Sequence, residues 1–203
     1  MTLDQFRHVA DRALEPFVSL STRLGLTPDA VSVVAFALAG GAGGTFYLGS
    51  DEPIWYLAGS VLVFLNGWLD LLDGALAREL GTDSKAGDLL DHVLDRYADI
   101  VVISGLAAGI GEYALGLLAV TGVLMTSYLG TQAQAVGLDR VYGGLLGRAD
   151  RLALIGVTGV LAAIVTDAFA GFTVVGWLLV VFAVVGHFTA LQRFYYAWRE
   201  LSS

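Results

Sequence analysis

Residues 70–95 read DLLDGALARELGTDSKAGDLLDHVLD, and the spacing of the charges in this stretch decides the fold. Asp70 and Asp73 are three apart, so on a helix they share a face, and Gly74, Ala77 and Arg78 continue roughly the same stripe. Gly87, Asp91 and Asp95 recur every four residues and share a face on a second helix. The short polar segment Gly81–Ser84 between them predicts a turn, which makes the two helices antiparallel neighbours. Four carboxylates then converge at one end of a helical bundle.

Outward from this pair the chain becomes apolar. Ala30–Ser50, Tyr113–Leu138 and Ala168–Gln192 contain no charged residue, and each is long enough to cross a ~30 Å hydrocarbon core as a helix. Shorter apolar stretches near 54–69, 100–111 and 152–166 run into charged residues at one end. The reading is six transmembrane helices in an all-α integral membrane protein. The composition agrees: 56% of the 203 residues are hydrophobic and 15% charged, against about 25% charged in soluble domains. A single membrane domain over 1–203 is expected, with a juxtamembrane helix in 1–26 and the six-helix bundle in 27–199. Leu3, Phe6, Val9, Ala10, Leu14, Phe17 and Val18 fall at helical spacing. They predict an amphipathic helix, lying in the membrane interface or packed beneath the bundle, with Pro16 as a kink point. Thr27-Pro28-Asp29 is a helix start, with Thr as N-cap and Pro at the first helical position. Gly40, Gly41, Gly43 and Gly44 allow close helix contact, within one subunit or in the homodimer expected of the chain.

The ten Arg and single Lys all fall at one set of loop ends: 7–23, 78–96, 140–151 and 193–199. The opposite loops, near 51–53, 109–113 and 167–172, have none. The positive-inside rule then puts both termini and the carboxylate cluster on the cytoplasmic side of a multi-pass cell-membrane protein. Residues 1–24 have no continuous apolar core, so no cleavable signal peptide is expected. The chain has no cysteine, which excludes disulfides and thiolate metal sites. With net charge −8 and no basic stripe, nucleic acid is not an expected partner.

Four unpaired carboxylates near a membrane are expensive, roughly 2.5–3.5 kcal/mol each on insertion scales. Divalent metal is the simplest compensation, and hard oxygen ligands in this number suit Mg²⁺ or Mn²⁺. Two such ions would clamp a diphosphate and steady the charge on its leaving group. Gly74 and Ala77 lack bulk, so a nucleotide can approach the helix backbone, and Arg78 is placed to reach a phosphate. The plainer alternative is a set of interfacial charges paired with Arg78, Lys85 and Arg96.

The same residues carry a resemblance. Asp70, Asp73, Gly74, Ala77, Arg78, Gly87, Asp91 and Asp95 fill every fixed position of D-x2-D-G-x2-A-R-x8-G-x3-D-x3-D, the pattern of the CDP-alcohol phosphotransferases. A chance match at a given start is on the order of 10⁻¹⁰ at average residue usage. The resemblance implies transfer of a phosphatidyl or archaetidyl group from a CDP-lipid (CDP-diacylglycerol or CDP-archaeol) to an alcohol, with release of CMP. It implies that Asp70, Asp73 and Asp91 bind two Mg²⁺ or Mn²⁺ ions. Asp95 is implied to be metal-linked and the general base. Nucleotide binding is implied for Asp70, Asp73, Gly74, Ala77, Arg78 and Gly87.

Asp91-His92-Val93-Leu94-Asp95-Arg96-Tyr97-Ala98-Asp99 resembles the archaeal inositol-phosphate-using branch of that family. So does the loop from Tyr142 to Arg151, in which Arg148 and Arg151 stand three apart and can grip an acceptor phosphate or act as a positive-inside anchor. Where that branch carries Lys and Arg in its fourth span, this chain has Gly130 and Gln132. The acceptor is therefore open among inositol phosphate, glycerol phosphate and an uncharged alcohol. Asp99 continues the 91–95 stripe, either behind the site or as a partner for a cation. His92 and His187 read as packed or hydrogen-bonded, and His8 as exposed. A rival class is a cation-coupled transporter, which would want carboxylates near the membrane midplane and repeated halves. The chain shows neither.

Overall fold

The computed structural model describes residues 7–82, 84–138 and 146–202. Seven α-helices form among them: α1 Arg7–Arg23, α2 Pro28–Leu48, α3 Ile54–Leu80, α4 Lys85–Gly109, α5 Tyr113–Ala135, α6 Arg148–Ala162 and α7 Val174–Leu201. By length and composition α2, α3, α5 and α7 can each cross a membrane. The protein is thus an all-α, multi-pass membrane protein. α4 is as long as these but charged through its first half, and α6 has only 15 residues.

Local chemistry sets the boundaries around the carboxylates. Thr27 caps α2 through its side chain, which accepts from the Ala30 amide at 3.2 Å, and Pro28 opens the helix. α3 ends at Gly81, whose left-handed backbone (φ 60°) turns its N–H back onto the Ala77 and Arg78 carbonyls. Ser84 then caps α4, accepting from the Gly87 amide at 3.0 Å. The turn expected at 81–84 is therefore a glycine stop followed by a serine start, and it aligns α3 and α4 at the cluster's end.

The core joins α2, α4, α5 and α7 through Phe46, Ile103, Leu106, Val123, Leu179 and Phe182. Gly43 lets α2 and α4 touch backbone to backbone. A Cβ on Gly105 would lie 2.2 Å from the Gly43 carbonyl oxygen. Gly40 and Gly44, by contrast, face open space. Large apolar side chains such as Phe64, Leu117, Val184 and Leu191 point outward, as a lipid-facing surface requires. α1 runs as one helix through Pro16. Its Leu14 is buried against Val31, Leu72 and Leu76, and Phe17 meets Trp68 edge-to-face at 5.4 Å. α1 is therefore packed against the bundle near the carboxylates. Leu3 and Phe6 lie outside the described residues, as do Arg140 and Tyr142–Leu145.

Candidate active site

The two acidic stripes meet. Carboxylate oxygens of Asp70 on α3 and of Asp91 and Asp95 on α4 all lie within 4.8 Å of one another. Asp73 sits one turn along α3 and is deeply buried, and its Oδ2 accepts the Ser32 hydroxyl at 2.6 Å. All four aspartates line one small cavity, together with Asn66 and Arg148. Asn66 is fixed there by donating to the Ala35 carbonyl at 2.9 Å. The donors are partly buried carboxylate oxygens on two rigid helices, a set that could hold a divalent metal ion. Hard, oxygen-only ligation at a polar rim is what Mg²⁺ and Mn²⁺ take.

Beside the cluster a cleft of about 690 Å³ opens between the start of α2, the end of α3 and the start of α4. Gly74, Ala77 and Gly87 line it, with Asp73 and Asp91 on its inner wall. A Cβ on Gly74 would meet only Arg78 Nη1, at 3.5 Å. No close packing explains that glycine, so its small size keeps the cleft open. Arg78 thus brings its Nη1 beside Gly74.

The cations come from α4, α6 and α7. Arg148, at the first position of α6, bridges Asp70 and Asp95, with Nη2 2.6 Å from the Asp95 carboxylate. Arg96 reaches Asp95 at 3.4 Å and donates to the Ser127 hydroxyl on α5. Arg151 lies beneath Arg148 and pairs with Asp99 at 2.8 Å, both residues 4% exposed. From α7, Arg193 donates to the Thr126 carbonyl at 2.6 Å. The histidines behave as packing and hydrogen-bonding groups. His92 Nδ1 lies 2.8 Å from the Asp88 carbonyl, and His187 Nε2 lies 3.3 Å from the Thr121 hydroxyl. The His8 side chain is outside the described residues.

A second space, about 970 Å³, is an apolar groove between α3 and α6, walled by Val61, Phe64, Trp68, Leu152 and Val160. Asp70 and Arg148 stand at its end, so the groove leads from the lipid-facing flank to the carboxylates. Three participants were not evident from the sequence: Ser32, Asn66 and this groove. Ser32 left a signal, as a hydroxyl one turn into an otherwise apolar helix. The groove left none, because it depends on which helices meet.

Fold and site together define a class: a membrane-embedded helical protein whose polyanionic centre joins a polar cleft to a lipid-facing groove. The pattern of the CDP-alcohol phosphatidyltransferase family matches residues 25–189. The chain belongs to that family, and is an enzyme of phospholipid biosynthesis rather than a transporter. It is 32% identical to the archaetidylinositol phosphate synthase of Methanothermobacter thermautotrophicus, over 98% of this chain and 95% of that one. It is 30% identical to the synthase of the same name from Pyrococcus horikoshii, over 98% of each. Among solved structures, the phosphatidylinositol phosphate synthase of Mycobacterium tuberculosis with CDP-DAG bound superposes with a TM-score of 0.79. It shares 27% identity, covering 92% of this chain and 94% of that one. The same synthase in complex with manganese and citrate gives a TM-score of 0.78 at 26% identity, covering 91% of this chain and 88% of that one.

Proposed function

We propose that this enzyme transfers the lipid phosphate of CDP-archaeol or CDP-diacylglycerol to inositol phosphate, releasing CMP. The observation that carries the reading is the meeting of Asp70, Asp91, Asp95 and Arg148 where the polar cleft joins the apolar groove. Similarity to two archaetidylinositol phosphate synthases along nearly the whole chain supports the acceptor.

In this reading the cytidine diphosphate lies in the cleft beside Gly74, Ala77, Arg78 and Gly87, and the lipid tails lie in the α3–α6 groove. Asp70, Asp73, Asp91 and Asp95 would hold two Mg²⁺ or Mn²⁺ ions. When bound, the ions neutralise the diphosphate and stabilise the departing CMP. Asp95 takes the proton from the acceptor hydroxyl. The freed oxygen attacks the lipid-linked phosphorus in line, and the bond from that phosphorus to the CMP oxygen breaks. Arg148 meets the acceptor phosphate, and Arg151 supports it from below. Purified enzyme with CDP-archaeol or CDP-diacylglycerol and Mg²⁺ should release CMP when inositol phosphate is added. It should do so far less with glycerol phosphate or free inositol. Preference for glycerol phosphate or for free inositol would overturn the acceptor, and only the uncharged alcohol would fit the absence of cations at Gly130 and Gln132.

For the topology we infer six spans, with α4 and α6 as the third and fifth, in one domain over 27–199 that α1 precedes as a juxtamembrane element. The one-sided placement of Lys and Arg supports a cytoplasmic active site and cytoplasmic termini. Reporters after Ser203 and in the 81–85 turn should both report cytoplasm, and one near Asp51 should not. An external signal from the turn would invert the arrangement.

A further inference from the structure

We infer that Asp99 is a positioning residue for the transfer, setting both Arg148 and Arg96 against Asp95. The inference rests on the reading of Asp95 as the base. Asp99 lies one helical turn beyond Asp95 on α4, and Arg151 lies three residues beyond Arg148 on α6. The two helices are thus joined by two rungs: Arg148 to Asp95 at 2.6 Å, and Arg151 to Asp99 at 2.8 Å. The first rung faces the cavity with the other aspartates, while the second is sealed, with both residues 4% exposed.

α6 packs against α3 and α7 and hardly against the backbone of α4, so these rungs tie it directly to the helix that bears the base. A sealed ion pair adds little net stability, because desolvation offsets its attraction. What it does fix is distance and rotation. With Arg151 held, the start of α6 presents Arg148 at the height of Asp70 and Asp95. Among the described residues Arg151 has no second carboxylate, and its Nε has no hydrogen-bond partner.

Asp99 acts on a second arginine as well. Arg96 Nη1 lies 3.8 Å from Asp99, and its Nη2 lies 3.4 Å from Asp95. Shared between two carboxylates and the Ser127 hydroxyl, Arg96 is held off a tight pairing with the base. If Asp99 lost its charge, Arg96 would collapse onto Asp95 and cover the oxygen that must receive the acceptor's proton.

The experiment compares Asp99→Asn, the double variant Asp99→Asn/Arg151→Gln, and Asp99→Glu, all in the full-length protein with Mg²⁺. Asp99→Asn leaves Arg151 as a buried unpaired charge, so its Tm falls. The double variant removes that charge and should recover Tm. Its kcat should stay down by ~10–100-fold, the usual cost of losing a group that orients an active-site residue, while CDP-lipid affinity stays within about twofold of the unaltered protein. Recovery of kcat together with Tm would show that Asp99 only supports the fold, and would overturn the inference. Asp99→Glu keeps the charge and needs no recovery of folding. It should hold Tm and still lose roughly tenfold in kcat, since one added methylene misplaces the rung, and unchanged kcat would overturn the inference equally. Asp95→Asn, run in parallel, tests the underlying reading separately: if it retains transfer, the base assignment fails, whatever the Asp99 variants do.

Discussion

Removing divalent metal should abolish CMP release, by at least ~10³-fold, the rate equivalent of several kcal/mol of charge stabilisation. Mg²⁺ or Mn²⁺ should restore it. The expectation follows from the charge balance at the site. Asp70, Asp73, Asp91 and Asp95 line one cavity, and among the described residues Arg148 is the only cation lining it with them. Arg96 touches the set at Asp95 alone. A CDP-lipid brings a diphosphate with further negative charge, and no pair of arginines can offset that total. Ions ligated by the carboxylates and the diphosphate together can, which is why substrate and metal should bind cooperatively. Ca²⁺ should restore little, because its longer bonds and looser coordination misplace the phosphates. CMP release is measured after dialysis against chelator, and again after each ion is returned. Full activity in excess chelator would remove the metal-clamp reading, while leaving the family assignment intact.

The parts legible in the sequence are those that depend on neighbours along the chain. Thr27-Pro28, Gly81 and Ser84 act on residues within four positions, so caps, stop and turn follow directly from their chemistry. The aspartate stripes were legible for the same reason, since a face repeats every three or four residues. Six charge-poor stretches gave the membrane class, but not the depth of α4 and α6. One carries its charges through half its length and the other is short.

Long-range partners were not legible. Ser32 finds Asp73 across 41 residues, and Arg151 finds Asp99 across 52. A periodic pattern says which residues share a face, but not which helix that face meets. α1 shows the same limit. Its amphipathic spacing suited a helix on the membrane surface as well as one beneath the bundle, and the contacts of Leu14 and Phe17 with α3 supply what periodicity lacked. Arg148 and Arg151 illustrate it within a single helix. Three apart in sequence, they suited one phosphate, yet in the fold each meets a carboxylate on α4.

Asp95→Asn should keep most CDP-lipid binding and lose transfer by roughly 10²–10⁴-fold, the range for removing a general base. The geometry separates it from Asp73 and Asp91 by the cleft, and from Asp70, which also stands outside the cleft, by its contact with Arg96. Asp95 lies one turn beyond Asp91, away from the 690 Å³ cleft, which Asp73 and Asp91 line and Asp95 does not. It faces the arginines instead, at 2.6 Å from Arg148 and 3.4 Å from Arg96, where an anionic acceptor would be drawn. An asparagine keeps the shape and one acceptor oxygen, but cannot take the hydroxyl proton. Asp70→Asn and Asp73→Asn should behave differently. Each removes a negative ligand from beside the diphosphate, so metal and nucleotide affinity should fall before chemistry is reached. CDP-lipid affinity and single-turnover transfer under saturating Mg²⁺ measure the two steps separately for every variant. If all three variants lose nucleotide binding equally, Asp95 is chiefly a metal ligand. If Asp95→Asn transfers at near-normal rate, the proton goes elsewhere, and the base must be sought among groups that reach the acceptor from the Arg148 side.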